Sequence, residues 1–218
     1  VSAKKAAVMI YPYFSLQETT GLTSCLTIWY EREIDIFASS KEIIKSEDGF
    51  QVVANKTFEE FSPEDYDCLI LPGILNPIPA LFDEKNIGFL RSLAGKDIVI
   101  AAISSSPMLL AKAGLLENRK FTCGLFDEVI QYLDFIPEQN VVHVPVHKDA
   151  NIITAVGFAF REFTVEVLRA VGLECPDTIL GGVTEADTEE ALTFLMGEEH
   201  FQAFLAEYNK HMEMAGQS

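Results

Sequence analysis

The sequence predicts an α/β protein: a mostly parallel, doubly wound sheet with helices on both faces, and a C-terminal helical appendage. Three observations carry this reading. Apolar runs of strand length recur at 4–10, 67–71 and 98–103, too short for globular helices and apolar enough to be buried on both faces. Segments with helical spacing of apolar residues alternate with them, the pattern of a parallel sheet covered by crossover helices. With 49% hydrophobic and 22% charged residues in 218, the chain can fill a core.

Taken in order, Lys4 to Ile10 reads as a first buried strand, followed by the loop Tyr11-Pro-Tyr-Phe-Ser-Leu. Gln17 to Glu31 reads as a helix, with Leu22, Leu26 and Trp29/Tyr30 at helical intervals. Gly21 inside it costs about 1 kcal/mol against alanine, so close packing or a ligand is expected to need the missing side chain. Ile34 to Ala38 is a strand, and Ile43 to Ala54 a hairpin turning at Asp48-Gly49. Phe58 to Tyr66 is a polar connection. Asp67 to Leu71 is a buried strand ending in Pro72-Gly73, and Asn86 to Ala94 a short helix closed by Gly95.

Ile98 to Ile103 is the next buried strand. Ser104-Ser-Ser follows, then Pro107 opens an apolar helix that stops at Gly114; proline in the first turn and glycine past the last are helix punctuation. Lys120 to Gly124 is read as a short strand and Asp127 to Leu133 as helical. Val141 to His147 and Asn151 to Val156 are read as strands joined by Lys148-Asp-Ala, and Phe158 to Val171 as a helix ending at Gly172. From Glu174 the character changes. Asp187-Thr-Glu-Glu190 has the form of a capping box for a helix running to Met196, and Glu198 to Met212 carries Phe201, Phe204/Leu205, Tyr208 and Met212 on one face. The domains are therefore expected to be 1–173, an α/β unit, and 174–218, a helical extension packed on the core or on a second subunit.

The charge balance excludes some partners. With 33 acidic and 16 basic residues the net charge is −17, a field that repels phosphate backbones and anionic lipid, so nucleic-acid binding is not expected. No apolar run reaches the ~18 residues of a membrane span. Ala6 to Ile10 is too short for a signal-peptide core, so a cytoplasmic protein is expected. Cys25, Cys68, Cys123 and Cys175 are widely spaced and read as free thiols. His143 and His147 alternate along a strand-like segment containing Pro145, which does not suit a metal, and neither metal nor cofactor is expected.

Three loops leave the carboxyl ends of buried strands, after Ile10, Leu71 and Ile103, and adjacent strands of a doubly wound sheet bring such loops together. The first supplies Glu18, the second the backbone N–H groups around Gly73 and Ile74, the third Ser104 and the Ser105 N–H. A hydroxyl, a carboxylate and backbone donors are the parts of an acyl-transfer or carbonyl-addition site. Locally, the same residues equally describe a serine-rich turn capping a helix, and a first-turn carboxylate favoured by the helix dipole.

Ala101-Ala-Ile-Ser-Ser-Ser-Pro-Met-Leu-Leu-Ala-Lys-Ala-Gly-Leu-Leu116 resembles the nucleophile-elbow segment of the ThiJ/PfpI (DJ-one) superfamily, within the class I glutamine amidotransferase-like fold. Tyr11 to Gly21 resembles its first loop, Leu69-Ile-Leu-Pro-Gly73 its Leu-Pro-Gly strand end, and Ile152 to Gly157 with the following helix its closing strand and helix. The resemblance spans about 4 to 173 and implies a flavodoxin-like sheet and a homodimer. It implies a reactive cysteine where this chain has Ser104, a second glycine where it has Ile74, and a Thr-x-His stretch where it has Thr122-Cys123-Gly124. Gly21, Cys123 and Gly124 are further pocket candidates, Cys123 as a displaced thiol or a buried strand cysteine.

A cysteine at such a turn works as a thiolate, whereas a serine hydroxyl normally needs a positioned base. The first expectation is therefore a binding or regulatory protein holding a small carbonyl or anionic ligand at Glu18 and Ser104. The alternatives are a hydrolase or lyase (amidase-, protease- or isocyanide-hydratase-like) using Ser104 with Glu18, and an assembly role carried by the acidic surface and C-terminal helices.

Overall fold

The computed structural model describes residues 4–181 and 197–216. Those residues fall into two compact units, divided after Leu180.

The first unit is built on a seven-stranded sheet. Its strands are β1 (Lys5–Met9), β2 (Ile34–Ala38), β5 (Lys56–Thr57), β6 (Tyr66–Leu71), β7 (Val99–Ile103), β8 (Val146–Asp149) and β9 (Ile152–Ala155). They lie in the order β5-β2-β1-β6-β7-β9-β8. Every pair is parallel except β8 with β9, which is antiparallel. β3 (Ile43–Lys45) and β4 (Gln51–Val53) form the separate hairpin expected around Asp48-Gly49, with Gly49 at φ +89°. The strand apolarity follows from position. Cys68 to Leu71 and Ile100 to Ile103 are flanked by strands on both sides and fully buried, so nothing polar can stand there without a partner.

Helices α1 (Gln17–Ser24), α2 (Ile78–Leu81), α3 (Glu84–Ser92), α4 (Pro107–Lys112), α5 (Asp127–Tyr132) and α6 (Phe160–Ala170) accompany the sheet. α6 buries Phe163, Val167 and Leu168 on one face, the i, i+4, i+5 spacing of an amphipathic helix.

Several elements differ from the sequence reading. The α-helical part of the first helix ends at Ser24 and the chain continues as a wider π-helical turn, Cys25–Trp29; Leu22 and Leu26 are buried while Trp29 projects outward. Gly21 does not face the candidate site: a Cβ there would stand 2.7 Å from Leu180 Cδ1, so the glycine serves close packing. The 120–124 segment is not a strand. It makes a single parallel bridge, Phe121 to Val141, and Thr122 N–H turns aside to Thr154 Oγ1 at 2.9 Å. The strand expected at 141–147 starts later, at Val146, because Pro145 has no N–H to give a ladder. It then runs through Lys148 and Asp149, and the reversal falls on Ala150 at φ +52°. Phe58 to Tyr66 is less a polar connection than an aromatic one: Phe58 stacks on Phe89 at 4.4 Å, and Phe61 on Tyr66 at 5.0 Å between centroids.

The first unit also extends past residue 173. Tyr30 donates to Glu174 O at 2.6 Å, Arg169 bonds Asp177 at 2.6 Å, and Ile179 and Leu180 pack on the core. The second unit contains α7 (Glu198–Gly216), a single helix on which Phe201, Phe204 and Tyr208 form a ladder of rings 6.5 and 6.0 Å apart. The helix expected over 187–196 lies outside the described residues.

Candidate functional site

β1, β6 and β7 are neighbours in the sheet, so the loops after Ile10, Leu71 and Ile103 do meet. Phe14 and Ile74 form an antiparallel bridge, Ser15 N–H donates to Gly73 O at 2.8 Å, and Leu75 N–H donates to Tyr13 O at 3.1 Å. The buried Tyr11 hydroxyl donates to Pro72 O. These bonds stitch the first loop to the second and set where α1 begins, and so where Glu18 points.

Ser104 stands at φ +63°, a left-handed conformation that a non-glycine residue adopts only under constraint. The constraint is visible on both sides of it. Its N–H extends the β7–β9 ladder to Ala155 O at 2.8 Å, and its carbonyl accepts Gly124 N–H at 2.6 Å. Two residues on, Ser106 Oγ lies 2.9 Å from Leu71 O and 2.8 Å from Ile103 O, tying the turn to β6 before Pro107 starts α4.

Glu18 Oε2 accepts Gly73 N–H at 2.9 Å. A Cβ on Gly73 would overlap that carboxylate and stand 2.7 Å from Ser104 Cβ, while one on Gly157 would overlap the other oxygen and stand 3.1 Å from Ser104 Oγ. The carboxylate is thus sandwiched between two glycines and the serine. Burial raises the Glu18 pKa above the ordinary glutamate value, the Ser104 hydroxyl draws it back, and the Glu47 and Asp48 carboxylates of the hairpin raise it again against the Gly73 N–H. The net direction is upward, so the site holds the Glu18 proton more tightly than water does.

Two of the three expected oxyanion donors are engaged elsewhere, while Ser105 N–H donates no hydrogen bond among the described residues. Gly73 N–H is committed to Glu18, and Ile74 N–H donates to Ser105 Oγ at 2.9 Å, the hydroxyl returning its own proton to Ile74 O at 2.8 Å. Ser105 therefore plugs the peptide that sequence reasoning left open. Gly124 does abut the site, since a Cβ there would stand 3.3 Å from the Ser104 backbone. Cys123 faces a neighbouring cavity of about 260 Å³, shared with His143, Val156 and Phe158. Burial pushes its thiol pKa upward. Gly157 was missed, although it follows a buried strand at the same sheet edge as the three loops that were compared. Extending the comparison to β9 would have found it.

A strand, a left-handed serine and a short helix, at the carboxyl edge of a parallel sheet and beside a half-buried carboxylate, define an α/β protein with its candidate site at the turn after β7. The DJ-1/PfpI family pattern matches residues 4–170, and the chain belongs to that family. Among curated proteins, "Deglycase PfpI" of Pyrococcus furiosus is 31% identical over 124 residues, covering 56% of this chain and 68% of the relative. "Uncharacterized protease YdeA" of Bacillus subtilis is 27% identical over 176 residues, covering 81% and 87%. Among solved structures, a DJ-1 superfamily protein from Agrobacterium tumefaciens superposes with a TM-score of 0.71 at 22% identity, covering 81% of this chain and 94% of that one. A thiJ/pfpI family protein from Bacillus anthracis gives 0.68 at 25% identity, covering 81% and 87%.

Proposed function

We propose that the chain is a small-molecule-binding member of the DJ-1/PfpI family that holds a carbonyl- or carboxyl-bearing ligand between Glu18 and Ser104 without forming a bond to it. The observation that carries this is the employment of two of the three backbone donors: Gly73 N–H on Glu18 and Ile74 N–H on Ser105 Oγ, both at 2.9 Å. Acyl transfer needs donors free to meet the developing oxyanion, and removing one such donor costs about 10²–10³ in rate. It also needs a base for a serine hydroxyl. The group beside Ser104 is a carboxyl, Glu18, whose pKa burial raises; its assigned role is to hold a ligand oxygen beside the Ser104 hydroxyl.

A serine-directed fluorophosphonate followed by intact-mass measurement tests this. The wild type stays unlabelled by the phosphonate, while Ser104→Cys gains one iodoacetamide adduct beyond those of the four native thiols in wild type, showing that the pocket is open. A phosphonate adduct on wild-type Ser104 overturns the binding reading. It would favour a hydrolase or lyase, for which the left-handed turn at Ser104 and the deglycase and protease names of the relatives are the supporting observations.

A homodimer is the proposed assembly. Ile28, Trp29, Ile43 and Phe50 of the first unit are large apolar side chains that stand exposed in the single chain, and light scattering reports the mass directly. No helix of the described residues is long and apolar enough to cross a membrane. The four cysteines are unpaired, which supports a reducing, cytoplasmic location.

A further inference from the structure

On the flank of α4 the first unit has a concave region whose lining includes neither Glu18 nor Ser104. α2, α4 and α5 wall a cavity of about 440 Å³, within the ~300–1,000 Å³ range of small-molecule sites. Leu81 and Met108 line its buried side, and Val129 and Leu133 its α5 side. Its rim is aromatic: Phe82 and Tyr132, 77% and 86% exposed, stand in water beside an apolar hollow. Rings left so exposed around a concavity gain from a flat apolar occupant through both burial and offset stacking.

The charges around the cavity narrow the occupant. One cation and one anion reach it, Lys112 and Glu128, so neither sign of ligand finds a net counter-charge. Lys112 Nζ is already placed over the Phe135 ring, 4.5 Å from its centroid, where the ring face answers its charge. The chain as a whole carries −17, which works against an anionic ligand at any open site. We infer that this cavity binds a neutral, apolar, ring-containing molecule of one- or two-ring size, at a site separate from Ser104.

The full-length protein titrated with the neutral fluorophore N-phenyl-1-naphthylamine, followed by emission enhancement, tests this directly. Wild type takes up the dye saturably at a single site. Val129→Trp, which fills the hollow from the half-buried face of α5, weakens uptake by about tenfold or more. Tyr132→Ala removes a rim ring that is 86% exposed and so leaves the core untouched; it weakens uptake by about threefold. The anionic dye 1-anilinonaphthalene-8-sulfonate binds more weakly than the neutral one. Thermal melting confirms that each variant is folded, and if Val129→Trp is not, Tyr132→Ala decides. The inference is overturned by non-saturable uptake, by affinity unchanged in the folded variants, or by a preference for the anionic dye.

Discussion

Asp35 is buried and Glu18 half-buried, and the surroundings of these two carboxylates could hardly differ more. Asp35, on β2, is 6% exposed and answered on every side: Lys56 Nζ at 3.0 Å, the Tyr66 hydroxyl at 2.8 Å and Asn55 Nδ2 at 2.9 Å. Burial alone would raise its pKa, but those hydrogen bonds together bring it below the ordinary value. Glu18 has one N–H bond, a neighbouring hydroxyl and two carboxylates near it, and its pKa goes up. The first arrangement fastens the edge strand β5 to the sheet. The second keeps an acid uncomfortable at the mouth of the fold, the pattern of a site shaped for something other than stability.

The comparison can be broken from either end. The largest effect is expected at Asp35→Ala, which takes the acceptor from the Tyr66 hydroxyl and the counter-charge from Lys56, leaving the ammonium bonded to that hydroxyl. Removing one partner of a buried pair costs 3–5 kcal/mol, and because the Lys56 side chain is 30% exposed, a loss of about 3 kcal/mol is expected in urea unfolding. Next comes Gly73→Ala, whose methyl meets the Glu18 carboxylate and Ser104 Cβ together; overpacking of this kind costs about 2 kcal/mol. A smaller effect is expected at the turn. Ser104→Gly should be more stable than Ser104→Ala by about 1 kcal/mol, because only glycine sits at φ +63° without penalty. An equal or reversed order would mean that the turn is not strained.

Glu18→Gln sharpens the comparison through pH. A carboxyl whose folded pKa is raised binds its proton more tightly in the native state, so wild-type stability falls as pH rises through that folded value. Glutamine does not titrate. The variant should therefore melt slightly above wild type at pH 7 to 8, with the gap closing as pH falls below the ordinary glutamate value of about 4.3. Asp35→Asn should show the opposite trend, since a lowered pKa contributes stability at neutral pH that is lost as pH falls through the folded value.

Most of this was legible in the chain, and the reasons are local. Ile98 to Gly114 announces strand, turn and helix through an apolar run, Pro107 and Gly114, and β7 and α4 lie within it. The convergence of Glu18, Gly73 and Ser104 followed from strand order alone. What escaped depended on side chains reaching across the sheet edge. Ser105 was legible as a backbone donor, but its hydroxyl's hold on the Ile74 peptide, 31 residues away, is a pairing with no periodic trace in the sequence. Gly21 was legible as a glycine needed for close packing or a ligand, but not which of the two, because the residue it packs against, Leu180, lies far along the chain. The Asp35 cluster escaped for the same reason, since Asn55, Lys56 and Tyr66 come from beyond the hairpin.

The measurement that bears most directly on this contrast is a ¹³C NMR titration of the side-chain carboxyls, assigned through Glu18→Gln and Asp35→Asn. Glu18 should titrate above the ordinary glutamate midpoint of about 4.3 and Asp35 below the ordinary aspartate midpoint of about 3.9. If Glu18 instead titrates at or below its ordinary value, the contrast with Asp35 and the account of a carboxyl held against ionisation by its surroundings are contradicted.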